Sequence, residues 1–275
     1  MTLEDRHARF AHLHRQGCFV MPNPWDAGSA RMMAAMGAAA LATSSAAHAF
    51  TLGRPDMGTV TRDEALEHAA QIIAATDLPV SGDFENGFGD APEDVAETIR
   101  MAGEAGLSGC GIEDTQMVEG NPAYGREAAI DRIAAAVEAA RDLGRPFILT
   151  ARADGVMNGT YDMDEALARV QAFAAAGADC VYIPVLPDVA ALDRLMAAVW
   201  VPVNVLAVGA MQRATVAKIA AKGVRRISLG SQVARVTHAA IRDVMAPMLE
   251  DGDFSGLKNA ASGDRIDALL EKGAG

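Results

Sequence analysis

The sequence predicts an α/β fold, a closed parallel (β/α)8 barrel of the TIM type. Three observations point there. Eight short apolar runs alternate with longer helical segments along 275 residues, the helical segments are amphipathic, and two kinds of stop signal take turns between them. The runs fall at 19–24, 40–45, 79–85, 109–114, 147–153, 180–185, 202–207 and 226–230. Most are apolar on both faces, as strands covered by helices must be.

The intervening stretches follow from their spacing. RDEALEHAAQIIAAT, PEDVAETIRMAGEAG, REAAIDRIAAAVEAARDLG and DMDEALARVQAFAAAG repeat apolar residues every three or four positions, with charges on the other face. Acids in the first turns and abundant alanine suit the helix dipole and intrinsic propensity. Thr61 and Glu64 form a capping box. Gly37, Gly106, Gly177 and Gly223 precede the second, fourth, sixth and eighth runs, where each can close a helix in the left-handed conformation. Leu78-Pro79, Arg145-Pro146 and Val201-Pro202 instead open the third, fifth and seventh. An open doubly wound sheet is the alternative, but no G-x-G-x-x-G or Walker loop follows any run. With no linker or low-complexity tract, 1–275 reads as one barrel domain whose last part, about 236–275, is a helical extension.

Composition removes several function classes. A formal net charge of −12 argues against a surface that neutralises nucleic-acid phosphates. The first residues mix acids, bases and histidines and lack the apolar core of a secretory signal, so a cytoplasmic protein is expected. The most apolar stretch, 32–50, is broken by Gly37, Thr43, Ser44, Ser45 and His48, and no membrane span is expected. Cys18, Cys110 and Cys180 are widely spaced within apolar runs; small buried hydrophobes are expected there, with no disulfide framework or zinc site.

In such a barrel the chemistry sits at the carboxyl ends of the strands. Those ends are acidic here. The third run closes Ser81-Gly82-Asp83-Phe84-Glu85, so alternation would put both carboxylates on one side and Phe84 on the other. The fourth ends Glu113-Asp114, the fifth Arg152-Ala153-Asp154, and the seventh carries Asn204. Carboxylates crowded together need a cation or a proton, and an all-oxygen set favours Mg²⁺ or Mn²⁺. Arg152 could neutralise spare carboxylates or hold a substrate oxyanion. The Thr43-Ser44-Ser45-Ala46 turn could cradle a carboxylate, or be an ordinary turn. The long 115–125 connection could be a lid, or a plain surface excursion.

Seven blocks in order carry a resemblance over nearly the whole chain: N-P-W-D-A-G-S-A-R at 23–31, T-S-S at 43–45, R-P-D-M-G at 54–58, G-D-F-E-N-G-F-G at 82–89, G-I-E-D at 111–114, A-R-A-D at 151–154 and V-N-V-L at 203–206. The chain resembles the isocitrate lyase/phosphoenolpyruvate mutase superfamily. The resemblance implies a (β/α)8 barrel, often a homodimer or homotetramer that exchanges its last helix. It places Asp83 and Glu85 at a Mg²⁺ (or Mn²⁺) site, with Asp56 and Glu113 reaching the ion through water. It gives the substrate Trp25, Ser44, the backbone of Ser45 and Ala46, Arg152 and Asn204, with Arg152 and Glu113 acting in the chemistry. Its common reaction passes through an enolate of a small 2-oxo acid.

The sequence departs from that pattern in three places. Glu85 stands where aspartate is more usual. The 115–125 loop reads T-Q-M-V-E-G-N-P-A-Y-G, without the Lys-Arg-Cys-Gly-His type lid of the carbon–carbon lyases or the Lys-Thr-Asn-Ser lid of the mutase. Pro184 replaces a polar residue on strand six, leaving His48, Glu119 and Tyr124 as nearby titratable groups. The expectation is a Mg²⁺-dependent lyase or decarboxylase of a small 2-oxo or 2-hydroxy (di)carboxylic acid. A non-catalytic 2-oxo acid binding protein and a phosphonopyruvate-type P–C hydrolase are the alternatives.

Overall fold

The computed structural model describes residues 1–275. Eight strands form the barrel wall: β1 (Phe19–Met21), β2 (Leu41–Ala42), β3 (Val80–Asp83), β4 (Gly109–Glu113), β5 (Ile148–Arg152), β6 (Cys180–Tyr182), β7 (Val203–Leu206) and β8 (Arg226–Ser228). Around and between them lie α1 (Leu3–Leu13), α2 (Ala27–Ala35), α3 (Ser45–Thr51), α4 (Arg62–Ala75), α5 (Pro92–Glu104), α6 (Arg126–Asp142), α7 (Gly155–Asn158), α8 (Met163–Ala176), α9 (Val189–Ala198), α10 (Val216–Ala220), α11 (Gln232–Asp251) and α12 (Gly263–Lys272).

All pairings are parallel, in the order β1-β8-β7-β6-β5-β4-β3-β2. The remaining seam closes through Ala42 N–H donating to Pro22 O at 3.0 Å. Asn23 finishes it: its Nδ2 donates to Thr43 O (2.8 Å), while its Oδ1 accepts from Leu229 N (3.0 Å) and Gly230 N (2.8 Å). One buried amide thus ties the ends of the first, second and eighth strands, which accounts for the asparagine that opens the N-P-W-D block.

The stop signals act as the sequence implies. Gly37, Gly106, Gly177 and Gly223 all adopt positive φ, from 91° to 105°, where a Cβ would clash with its own backbone. The capping box also forms, with Glu64 N–H donating to Thr61 Oγ1 and Thr61 N–H to Glu64 Oε2. The strands are shorter than the apolar runs, because several run ends belong to the next turn. Ser44 has left the sheet to cap α3, and Glu85 turns back with φ 46°.

Alternation along the strands divides the interior. Outward-facing residues such as Phe84, Ile112, Leu149, Val181 and Val205 join the main apolar cluster under the helices. Inside the barrel, Phe10 of α1 plugs the amino end with Phe19, Met21, Ile148 and Cys180. Above that plug the inner face is polar. Cys110 and Cys180 are buried and Cys18 half-buried, all as free thiols. No helix is long and apolar enough to cross a membrane. At the carboxyl end of the chain, α12 packs on α2, while α11 leaves Val236, Ile241 and Leu249 exposed.

Candidate active site

Each functional side chain comes from a carboxyl-terminal strand end or the turn after it. The residues Glu113, Arg152, Tyr182, Asn204 and Arg226 are successive register partners across β4 to β8. Residues in register share a face, so this row winds round the inside of the barrel. Arg152, Tyr182, Asn204 and Arg226 of this row, with Ser44, Ser45 and Asp83, border a cavity of about 160 Å³, a size suited to a small organic acid.

Arg152 is the hub. Its Nη1 donates to Asp83 Oδ1 at 2.7 Å, and its Nε and Nη2 make a fork to Asp154 at 3.1 and 2.5 Å. Nη2 also lies 3.7 Å from Glu113 Oε2, and the guanidinium sits 5.4 Å from the Tyr182 ring centre. Burial opposes its charge, but Asp154, Glu113 and Asp83 outweigh that and raise its pKa well above the ordinary value. Asp154 is fixed in turn: its N–H donates to Asp114 Oδ1 at 2.8 Å. Asp114 Oδ2 accepts from Tyr161 Oη (2.7 Å) and Arg169 Nη1 (2.9 Å). The arginine fork is therefore clamped from behind by a buried ion-pair chain.

Asp83 is held from its other side. Its Oδ2 accepts from the N–H and hydroxyl of Ser45 at 3.0 and 3.2 Å, and its own N–H donates to Thr43 Oγ1 at 2.8 Å. Glu85 joins it by a different route from the one alternation suggests. The strand ends at Asp83, and a left-handed Glu85 brings its Oε1 to Gly58 N–H at 3.1 Å. That conformation costs a residue with a Cβ roughly 1–2 kcal/mol, and it is found here on a buried acid at the site. Burial raises the Glu85 pKa to about 7, with Asp83 and Asp56 adding to the rise. Burial likewise lifts Asp56, and lifts Glu113 well above the carboxylate range.

The cluster is thus short of positive charge. Five acids, Asp56, Asp83, Glu85, Glu113 and Asp154, share one arginine. Two of their oxygens, Asp56 Oδ1 and Glu113 Oε2, are buried with no hydrogen-bond partner. Orphaned carboxylate oxygens in a low-dielectric site are costly, so the donor set fits a hard divalent cation. No three His, Cys, Asp or Glu side chains converge for direct ligation. That spacing agrees with an ion such as Mg²⁺, which takes few protein oxygens and keeps several waters.

The other expected residues fall as follows. Ser44 and Ala46 line the cavity, but Ser44 is the cap of α3 and the donors of Ser45 are spent on Asp83. Asn204 lies within, its Nδ2 donating to Ser228 Oγ at 2.9 Å. Trp25 borders no part of the cavity; its carbonyl meets His68 Nε2 at 3.0 Å. The three titratable candidates do not border that cavity, although His48 lines a smaller pocket with Ser44, Ser45, Asp83 and Glu85. Tyr124 Oη donates to Asp90 Oδ1 and is pushed up to about 12 by burial. His48 is stacked on His68 at 4.0 Å and pushed down to about 4 by burial. Glu119 is exposed. Sequence reasoning missed Tyr182, Ser228, Thr150 and Arg226 on the inner face; alternation back from Arg152 on β5 was the available signal for Thr150, and the register of β6 with β5 for Tyr182.

A family model for phosphoenolpyruvate phosphomutase matches residues 10–249. The chain belongs to that family. It is 34% identical over 188 residues to the probable 2-methylisocitrate lyase 2 of Corynebacterium glutamicum, a match covering 66% of this chain and 60% of that relative. It is 31% identical over 241 residues to the oxaloacetate decarboxylase of Paraburkholderia xenovorans, covering 85% of this chain and 78% of that one. A solved structure from Burkholderia cenocepacia J2315, described as a candidate lyase/mutase, aligns with TM-score 0.93 and 43% identity over 98% of this chain and 96% of its own. The phosphoenolpyruvate phosphomutase family assignment agrees with the barrel and with the seven blocks. These relatives are described as a lyase, a decarboxylase and a lyase/mutase.

Proposed function

We propose that this family member is a Mg²⁺-dependent (or Mn²⁺-dependent) lyase. It acts on a small 2-oxo or 2-hydroxy carboxylic acid by decarboxylation or carbon–carbon cleavage, through an enolate. The observation that carries this reading is Arg152, locked by Asp83 and Asp154 at a small-acid cavity beside two buried carboxylate oxygens that lack a hydrogen bond. Asp83 and Glu85, with Asp56 and Glu113, would hold the ion. Bound there, it would supply Lewis-acid stabilisation of oxyanion charge.

The remaining work falls to the chain's own groups. Arg152 spends three N–H groups on its carboxylates, leaving two of a guanidinium's five to meet negative charge as it grows on the substrate oxygen. Its fixed fork needs no reorganisation when that happens, which is where such groups lower a barrier. Tyr182 stays a neutral donor, since burial raises its pKa far above neutrality. Ser44 and Ala46 border the same cavity and would meet the substrate carboxylate. None of His48, Glu119 and Tyr124 borders the cavity, which favours decarboxylation: carbon dioxide departs without a base that removes a hydroxyl proton. The exposed apolar residues of α11 support a homo-oligomer.

The test is turnover of oxaloacetate, substituted malates and phosphonopyruvate with Mg²⁺. Pyruvate from oxaloacetate, or an oxo acid from a malate, at rates above a metal-only control supports the lyase. Phosphate release from phosphonopyruvate would move the assignment to P–C hydrolysis. Binding of 2-oxo acids with no turnover would make the chain a binding protein.

A further inference from the structure

Beneath Arg152 lies a second arginine with a different balance of charge. Arg226 is 3% exposed yet borders the same cavity. Its Nε donates to Asn204 Oδ1 (2.8 Å), its Nη2 to Thr150 Oγ1 (2.9 Å), and its Nη1 meets His14 Nε2 at 3.3 Å. His14 hydrogen-bonds Phe10 O through Nδ1, so its Nε2 is the acceptor and the ring is neutral. Every partner of Arg226 is uncharged, and no carboxylate forms an ion pair with it. These three bonds leave two of a guanidinium's five N–H groups. A buried cation in that condition is costly unless an anion is supplied.

Arg226 also sets its neighbour. By occupying Asn204 Oδ1 it fixes the amide orientation, so that Nδ2 donates to Ser228 Oγ and keeps one N–H for the cavity. The mouth above is crowded with acids, and the chain carries a net charge of −12. A doubly charged ligand would be repelled there without a dedicated cation deeper in.

We propose that Arg226, with Asn204 positioned by it, receives the second carboxylate of a dicarboxylic substrate and selects dianionic over monoanionic acids. This rests on the lyase reading and narrows its substrate class. Arg226 acts as a specificity and positioning residue, and takes no part in bond breaking.

Calorimetry with Mg²⁺ tests it with two probes that differ by one carboxylate, L-malate and L-lactate. Wild type should bind malate at least about tenfold tighter, the worth of one charge-assisted pair. R226M should bring that ratio to about one with lactate affinity unchanged, whereas a purely structural arginine would weaken both acids together. Should R226M fail to fold, N204D decides. Its isosteric carboxylate gives Arg226 an internal counter-charge, so the thermal midpoint should hold or rise while the preference for malate disappears. A malate advantage that survives in either variant overturns the proposal. Equal binding of the two acids by wild type overturns this proposal alone; binding of neither takes the lyase reading down with it.

Discussion

Replacing Asp114 by asparagine removes one charge from the chain that stands behind Arg152. Asp114 is 3% exposed and accepts from Asp154 N–H, Tyr161 Oη and Arg169 Nη1. The variant keeps an oxygen for Asp154 but turns an NH₂ toward Arg169, donor against donor. Arg169 is itself 5% exposed and retains only Glu165, at 2.8 Å from its Nε. Breaking a buried pair from one side costs about 3–5 kcal/mol, a large share of the ~5–15 kcal/mol that holds a domain. The thermal midpoint should therefore fall by roughly 5–9 °C in a chain of this length. Because Asp154 forks onto Arg152, turnover should drop more than substrate affinity. Calorimetric melting of D114N beside wild type measures the first effect, and steady-state kinetics the second. A midpoint within about 2 °C of wild type would refute the claim that this ion-pair chain supports the site.

Other substitutions probe separate links. Asn23→Ala removes three seam hydrogen bonds and should cost about 2–4 kcal/mol in urea unfolding; a loss under about 1 kcal/mol would mean the barrel closes without it. Gly155→Ala drives a methyl into the Tyr161 ring, so that ring must move off Asp114 at a cost of about 1–3 kcal/mol, visible as a lower urea midpoint. His7 gives a pH test. Burial, then Arg145 and Arg6, lowers its pKa to about 4, so the unfolded chain takes up the proton first. Its contribution is complete above about pH 6.5 and is lost as pH falls toward 4. Between pH 7 and 5 wild type should lose about 2 kcal/mol more than His7→Gln; parallel stability profiles would exclude this role for His7.

The strand count, the parallel sheet and the alternating stops were legible because they depend on local rules: apolar period, glycine at left-handed positions, proline before strands. The acidic strand ends were legible for the same reason, since barrels gather chemistry there. The path of Glu85 was not, because a left-handed turn after Asp83 is decided by Gly58 and the 82–89 loop rather than by strand alternation. Nor could sequence tell that the donors of Ser45 would be taken by Asp83. Arg226 stayed hidden for a further reason. Arg225 and Arg226 are adjacent, so alternation sends one inward and one outward without saying which. The structure turns Arg226 to Asn204 and Arg225 to Gly17 O. Tyr124 looked available in a flexible-looking loop, yet Asp90 and Asn86 hold its hydroxyl in place.

Whether the acidic mouth takes up a divalent cation can be read directly, by titrating Mn²⁺ into the protein and following free ion by electron paramagnetic resonance. One ion per chain should bind, Mg²⁺ should compete for it, and D83N or E85Q should weaken binding by at least about tenfold through loss of a charged oxygen ligand. A protein that leaves Mn²⁺ free in solution, or variants that bind it as wild type does, would contradict the reading of Asp56, Asp83, Glu85 and Glu113 as a cation site.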